Sequence, residues 1–152
     1  MPAEVRRATP QDAEALAEII EALIANEERV ALGPMSADEI RAWMDRQGED
    51  GVMLVLDDGR FVLGFAAVDF DSAAPQECTF GAWVRPQNRR QGHGTALAEE
   101  AIAFARERGY RRVRGRLPEG NEPALSYLSS IGALVPMKNP GMAFELPIYG
   151  EE

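Results

Sequence analysis

The sequence predicts an α+β fold, an α/β mixed sheet with helices on both faces. Three observations point to it. The elements run in the order β, α, α, β, β, β, α, β, α, β, β. Two β-rich runs in "GVMLVLDDGRFVLGFAAVDF" meet at Asp58-Gly59, a strong signal for an antiparallel hairpin. A strand at 77–84, a helix at 95–109 and a strand at 111–117 form one right-handed parallel crossover.

Each element has a local reason. A short strand around "EVRRA" leads to Thr9, which caps a helix with Asp12 three positions on, a weaker relative of the capping box. Leu16, Ile19, Ile20, Leu23 and Ile24 recur at helical spacing. Gly33 and Pro34 break that pattern, and Ser36 with Glu39 forms a capping box for a second helix carrying Ile40, Trp43 and Met44. In "ECTFGAWV", alternation puts Cys78, Phe80, Ala82 and Val84 on one face and Glu77, Thr79, Gly81 and Trp83 on the other. Gly81 inside this strand predicts a bulge or a close approach of other backbone. From Thr95 the spacing of Leu97, Ala98, Ala101, Ile102 and Ala105 is helical, with Arg106 and Arg108 in the last turn and Gly109 as its stop. "RVRGRL" is a strand, "NEPALSYLSSIG" a helix capped by Asn121 with Pro123 in its first turn, and "ALVP" and "MAFELPIY" are closing strands.

The chain has 152 residues, enough for one domain over 1–152 with its own core, and no repeat or linker divides it. No apolar run approaches the ~20 residues that cross a bilayer, and "MPAEVRRATPQD" lacks the apolar stretch of a secretory signal. The single cysteine, Cys78, has no intrachain partner, so a reducing cytoplasm is the expected location and the thiol reads as a small buried hydrophobe. A net charge of −9 repels nucleic-acid phosphates and anionic membranes, and suits cationic partners such as amines. One His, one Cys and no close acidic cluster supply no familiar metal-ligand set, so no metal is expected.

The chemistry concentrates in "RRQGHGT", residues 89–95. Gly92 and Gly94 let the backbone turn tightly and aim successive N–H groups at one point, where the following helix adds the positive end of its dipole. Such a corner binds phosphate. Arg89 and Arg90 add charge, and the Thr95 hydroxyl can donate to a phosphate oxygen. The dinucleotide fingerprint would need a third Gly where Leu97 stands, and the P-loop needs a Lys-Ser/Thr pair that is absent. Taken alone, the Gly-x-Gly turn also has a purely structural reading.

"WVRPQNRRQGHGTAL" resembles the acetyl-CoA-binding motif of the GNAT superfamily of N-acetyltransferases, a strand ending in Val-x-Pro, then Arg/Gln-x-x-Gly-x-Gly/Ala, then a helix. Val84, Pro86, Arg89, Gly92 and Gly94 hold those positions, and the likeness covers nearly the whole chain from "VRRATPQDAEALAEII" onward. It implies a central, largely antiparallel sheet with one splayed parallel pair, the strands 77–84 and 111–117. It also implies transfer of an acetyl group from acetyl-CoA, as co-substrate, to a primary amine of a small molecule or peptide, by direct attack without metal. The cofactor-binding residues implied are Trp83, Val84, Arg89, Arg90, Gln91, Gly92, His93, Gly94, Thr95 and Asn121. The amides from Arg89 to Thr95 would hold the pyrophosphate, Val84 would bond the pantetheine arm, and the Ala82 N–H would steady the oxyanion. Homodimers through the closing strands are common among relatives.

The catalytic set implied is Glu77, Tyr127 and Ala82. The family's helix starting with Asn carries a Tyr seven residues on as acid; here Asn121 and Gly132 keep their spacing but Leu128 stands at the Tyr position. Tyr127 is the adjacent candidate, rotated by about 100° around the helix, with a packed aromatic as the plainer reading. Glu77, at the head of the strand, is the candidate base acting through water, with a solvated strand-end charge as its plainer reading. Glu27 and Glu28, in the loop at 26–35, would border the acceptor pocket with the strand face from Glu77 to Trp83 and the turn at 137–141, and His93 is read as a tolerated side chain in the turn. Arg112, Arg114 and Arg116 alternate along one strand face as a salt-bridged row, with Arg116 an alternative contact for an acceptor carboxylate. The rival reading is a catalytically silent acyl-CoA sensor or protein-interaction module, supported by Leu128.

Overall fold

Local hydrogen bonds and periodicity fix the elements before the sheet assembles them. A computed structural model of the chain describes residues 3–26, 33–88, 92–116, 122–133 and 143–147. It contains strands β1 (Glu4–Arg7), β2 (Val52–Asp57), β3 (Val62–Phe70), β4 (Glu77–Val84), β5 (Arg112–Arg116) and β6 (Ala143–Pro147). The helices are α1 (Ala13–Ala25), α2 (Ala37–Gln47), α3 (His93–Arg108) and α4 (Glu122–Ser130).

At the start of α1 the Asp12 carboxylate accepts the Thr9 N–H at 2.7 Å and is held by Arg6, and a 3-10 turn, Pro10–Asp12, precedes the helix. At α2 both halves of the capping box form: Glu39 N–H donates to the Ser36 hydroxyl at 3.1 Å, and Ser36 N–H donates to the Glu39 carboxylate at 3.1 Å. The hairpin between β2 and β3 turns at Gly59, whose φ of 95° requires glycine, and Asp58 accepts the N–H groups of Arg60 and Phe61. Gly109 closes α3 in the left-handed conformation.

The six strands lie in sequence order, β1-β2-β3-β4-β5-β6. Every neighbouring pair is antiparallel except β4 and β5, which run parallel through the α3 crossover. Apolar alternation along the strands builds a core on each face. Cys78, Phe80, Ala82 and Val84 pack against Leu97, Ala98, Ala101 and Ile102 of α3, with Leu128 of α4 in the same core. Met53, Val55, Phe65, Ala67 and Trp83 pack on the opposite face, against Leu16, Ile19, Ile20 and Leu23 of α1 and Ile40 of α2. The expected mixed sheet with helices on both faces is thus present.

Three expectations need correcting or placing. The long helix begins at His93 rather than Thr95, because Gly92 adopts φ 81° and releases the helix two residues earlier. Gly81 is neither bulged nor approached by backbone: the β3–β4 register is regular there, and the neighbour is the indole of Trp83. The strand expected at "ALVP" falls at residues 134–136, outside the described residues, as do residues 27–32 and the turn at 137–141; Ala133 itself is not in a strand.

Candidate active site

The site is built around the end of β4. The Arg85 N–H donates to the Leu63 carbonyl at 3.0 Å, across the same register that pairs Gly64 with Val84. Antiparallel pairing alternates, so the odd-numbered residues Thr79, Gly81 and Trp83 direct their N–H and C=O groups to β3. The even-numbered Phe80, Ala82 and Val84 direct theirs to the β5 side. The parallel ladder ends at the pair Gly81↔Arg116. Since Gly81 uses its own amide on β3, the Ala82 N–H closes that last rung, directed at the Arg116 main chain.

Beyond Val84 the exit is fixed. Arg85 Nε donates to the Val62 carbonyl at 3.0 Å, and a 3-10 turn over Pro86–Asn88 follows. Gly92 then caps α3 with no Cβ-range neighbour within 4 Å. The first helical bond runs from Ala96 N–H to Gly92 C=O at 3.1 Å, so the Gly94 and Thr95 amides lie ahead of it, pointing out of the helix end. No acidic residue stands in this first turn, and Gly94 is buried, keeping the surface flat. Burial lowers the His93 imidazole from its ordinary value, which keeps it neutral near pH 7. By position, dipole and absence of negative charge, this turn is suited to receive an anion. Arg89, Arg90, Gln91 and Asn121 lie outside the described residues.

The other expected site residues are distributed differently. Glu77 heads β4 with both carboxylate oxygens engaged: Arg112 Nη1 lies 3.2 Å from Oε1 and Arg114 Nε 3.2 Å from Oε2. Five residues separate it from Ala82, about 16 Å along a strand. An open cavity of about 500 Å³ adjoins Glu77, Gln76 and Arg112, at the end of β4 away from the glycine turn. Arg112 also bridges to Glu145 at 2.8 Å and Arg114 to Asp71 at 3.1 Å, so two of the three row arginines are salt-bridged as read; the side chain of Arg116 lies outside the described set. Leu128 is fully buried, while Tyr127 is half-buried against the same core. Burial raises the Tyr127 phenol above its ordinary value, nearby Glu99 adds to this and Arg106 opposes it, so the ring stands beside α3 and keeps its proton at neutral pH. Cys78 is buried, and burial pushes its thiol up to about 12, which fits a packed hydrophobe and not a nucleophile.

Sequence reasoning missed an aromatic wall on the α2 side of β4. The Trp83 indole stacks on Phe65 with centroids 4.8 Å apart and meets Trp43 edge-on at 6.5 Å. Trp43 Nε1 donates to Asp69 at 2.9 Å, and Gln47 Nε2 donates to the same oxygen at 3.0 Å. The available signal was a glycine two residues from a tryptophan on one strand face.

Among the described residues no group of three or more His, Cys, Asp or Glu could hold a metal, and no helix is long and apolar enough to cross a membrane. The family model described as an acetyltransferase (GNAT) domain matches residues 4–133. Among solved structures, an N-acetyltransferase from Staphylococcus aureus Mu50 aligns over 97% of this chain and 99% of its own, with TM-score 0.80 and 24% identity. A GNAT superfamily phosphinothricin acetyltransferase from Sinorhizobium meliloti, in complex with acetyl-CoA, aligns over 97% and 89%, with TM-score 0.79 and 21% identity. A ribosomal-protein-alanine N-acetyltransferase from Brucella melitensis aligns over 95% and 99%, with TM-score 0.78 and 20% identity. None of the curated proteins compared matches the sequence.

Proposed function

The chain belongs to the GNAT acetyltransferase family, and from that premise we propose that it moves an acetyl group from acetyl-CoA to a primary amine of a small molecule or peptide. The observation that carries the reading is the left-handed Gly92 opening α3 beside the end of β4, with an uncharged first turn behind it. When bound, acetyl-CoA supplies the activated acetyl thioester. The Gly94 and Thr95 amides, with the expected Arg89, Arg90 and Gln91, hold its diphosphate, and His93 stays neutral at the turn. Val84, the next residue along β4 on the β5 side, is the residue assigned to the extended amide-bearing arm. The Ala82 N–H, which closes the last rung of the ladder and must give up that partner on β5 to do so, is the proposed donor to the negative charge that develops on the acyl oxygen.

Proton handling is assigned to two residues, each open to substitution. At about 16 Å along β4 from Ala82, Glu77 takes the amine proton only through a relay of several waters. Glu77→Gln that lowers turnover while leaving the melting temperature unchanged supports that role; a loss of stability without a change in kcat assigns it to the ion-pair row. Tyr127 carries a proton at neutral pH, and an unchanged rate in Tyr127→Phe at matched acetyl-CoA binding removes it from the mechanism. The reduced, buried Cys78 agrees with a cytoplasmic location.

The test is a turnover screen with acetyl-CoA against alkyl amines, aminoglycosides, amino acids and peptide N-termini, read by free-thiol release and the mass of the acetylated product. Acetylation of at least one class is expected. Leu128, buried where the acid is usual, favours the second reading, a silent acyl-CoA sensor. Tight acetyl-CoA binding with only slow hydrolysis for every acceptor would establish that instead.

A further inference from the structure

An ideal Cβ built on Gly81 would lie 2.4 Å from Cη2 of Trp83, 2.9 Å from Cζ2 and 3.1 Å from Cζ3. The indole therefore folds back along β4, and its benzo edge occupies the space where a residue 81 side chain would stand. It cannot easily move away. Phe65 stacks on one face, Trp43 meets it edge-on, and Trp43 is itself tied to Asp69. Only 6% of Trp83 is exposed, while Gly81 is half-exposed and Thr79, two residues along the same face, is exposed. The tip of the ring thus borders the open part of this face, one residue from Ala82.

We propose that Trp83 determines which acceptors react: its rigid benzo edge narrows the approach to Ala82, so the chain selects primary amines on an unbranched carbon and rejects amines substituted at the carbon bearing nitrogen. This rests on the acetyltransferase reading. A methyl at that carbon adds width next to the reacting nitrogen, where the ring leaves least space. Steric discrimination of one methyl group is worth about 10–200-fold in kcat/KM when the wall does not yield.

The experiment takes an amine acetylated in the screen and its counterpart differing by one methyl at the carbon bearing nitrogen. Wild type is expected to favour the unbranched member about tenfold or more. Trp83→Phe, which keeps a ring on Phe65 and removes the benzo edge, is expected to bring the two values within about threefold of each other at saturating acetyl-CoA, whatever the change in either value alone. A merely structural role would lower both members together and leave their ratio unchanged. Should Trp83→Phe fail to fold, fluorescence decides: Trp43 and Trp83 are the chain's 2 tryptophans, so emission reports this wall. A saturable change on titrating the unbranched amine into wild type, absent with the branched one, supports the proposal. Equal kcat/KM for both amines in wild type, an unchanged ratio in a folded Trp83→Phe, or no emission change with a reactive amine overturns it. If no amine is acetylated at all, the family-level reading has failed first, a result distinct from loss of selectivity.

Discussion

Gly115 is where a single methyl group tests the geometry of the parallel pair most directly. Gly115 pairs with Phe80 one rung before the ladder ends. An alanine Cβ there would lie 1.9 Å from the Phe80 carbonyl oxygen, 2.9 Å from its carbon and 3.3 Å from Cε1 of Phe144. A carbon and a carbonyl oxygen normally stand at least about 3.3 Å apart, so β4 and β5 must separate by roughly 1.4 Å. The first neighbour is backbone, which cannot rotate aside as a side chain would. Overpacking costs about 1–3 kcal/mol, and this site belongs at the upper end. In a domain of this size each kcal/mol moves Tm by about 2–4 °C, so Gly115→Ala is expected to melt roughly 6–12 °C below wild type. Circular dichroism melts measure this, with Gly33→Ala as control because nothing lies within 4 Å of its Cβ position. A Gly115→Ala melt within about 2 °C of wild type would refute the close backbone approach.

Gly92→Ala forces a side chain into the left-handed region at φ 81°, a strain of about 1–2 kcal/mol; acetyl-CoA affinity by titration calorimetry should fall about tenfold. Cys78, with its thiol raised to about 12 by burial, should resist a thiol reagent at pH 8 in the folded protein and react after unfolding. Asp12 is held below the ordinary carboxylate value, first by its hydrogen bonds with Arg6 and further by the Thr9 N–H, while desolvation opposes. Its contribution is therefore full above the unfolded value near ~3.9 and is lost as pH falls through the lower folded value. The Tm gap between wild type and Asp12→Asn should be largest at neutral pH and narrow on acidification; a gap that does not narrow as pH falls below the unfolded value of ~3.9 contradicts the assignment.

What the sequence could reveal depended on how local the cause was. The capping box at Ser36 and Glu39 and the turn at Gly59 are settled within a few residues, and the structure shows both. The two faces of β4 were legible because an apolar run alternating Cys78, Phe80, Ala82 and Val84 has one pairing with a two-sided sheet. The start of α3 was legible only to within two residues, since Gly92 and Gly94 can each take the turn and tertiary packing chose the first. The ion pairs of Glu77 were not legible: they depend on the β4–β5 register, which places Arg112 and Arg114 beside a carboxylate far earlier in the chain. Gly81 announced a close contact without naming its source, because the filling group follows from the Trp83 rotamer. The acceptor side drew its expectations from the loop at 26–35, the β4 face from Glu77 to Trp83 and the turn at 137–141, and of these residues 27–32 and 137–141 lie outside the described residues.

The alternation of β4 also lets the two proposed roles, acyl chemistry at Ala82 and acceptor selection at Trp83, sit one residue apart without interfering. Even-numbered residues turn their main chain to the β5 side and their side chains into the α3 core, so in the proposed mechanism Ala82 and Val84 act through backbone alone. Odd-numbered residues do the reverse, anchoring their main chain on β3 and presenting side chains to the α2 face, where Trp83 stands over Gly81. Substitution on the odd face can therefore reshape the acceptor approach while the backbone donors stay in register with β3. A slip of one residue would exchange the two roles along the whole strand, which ties selectivity and acyl binding to the same register even though they use different atoms.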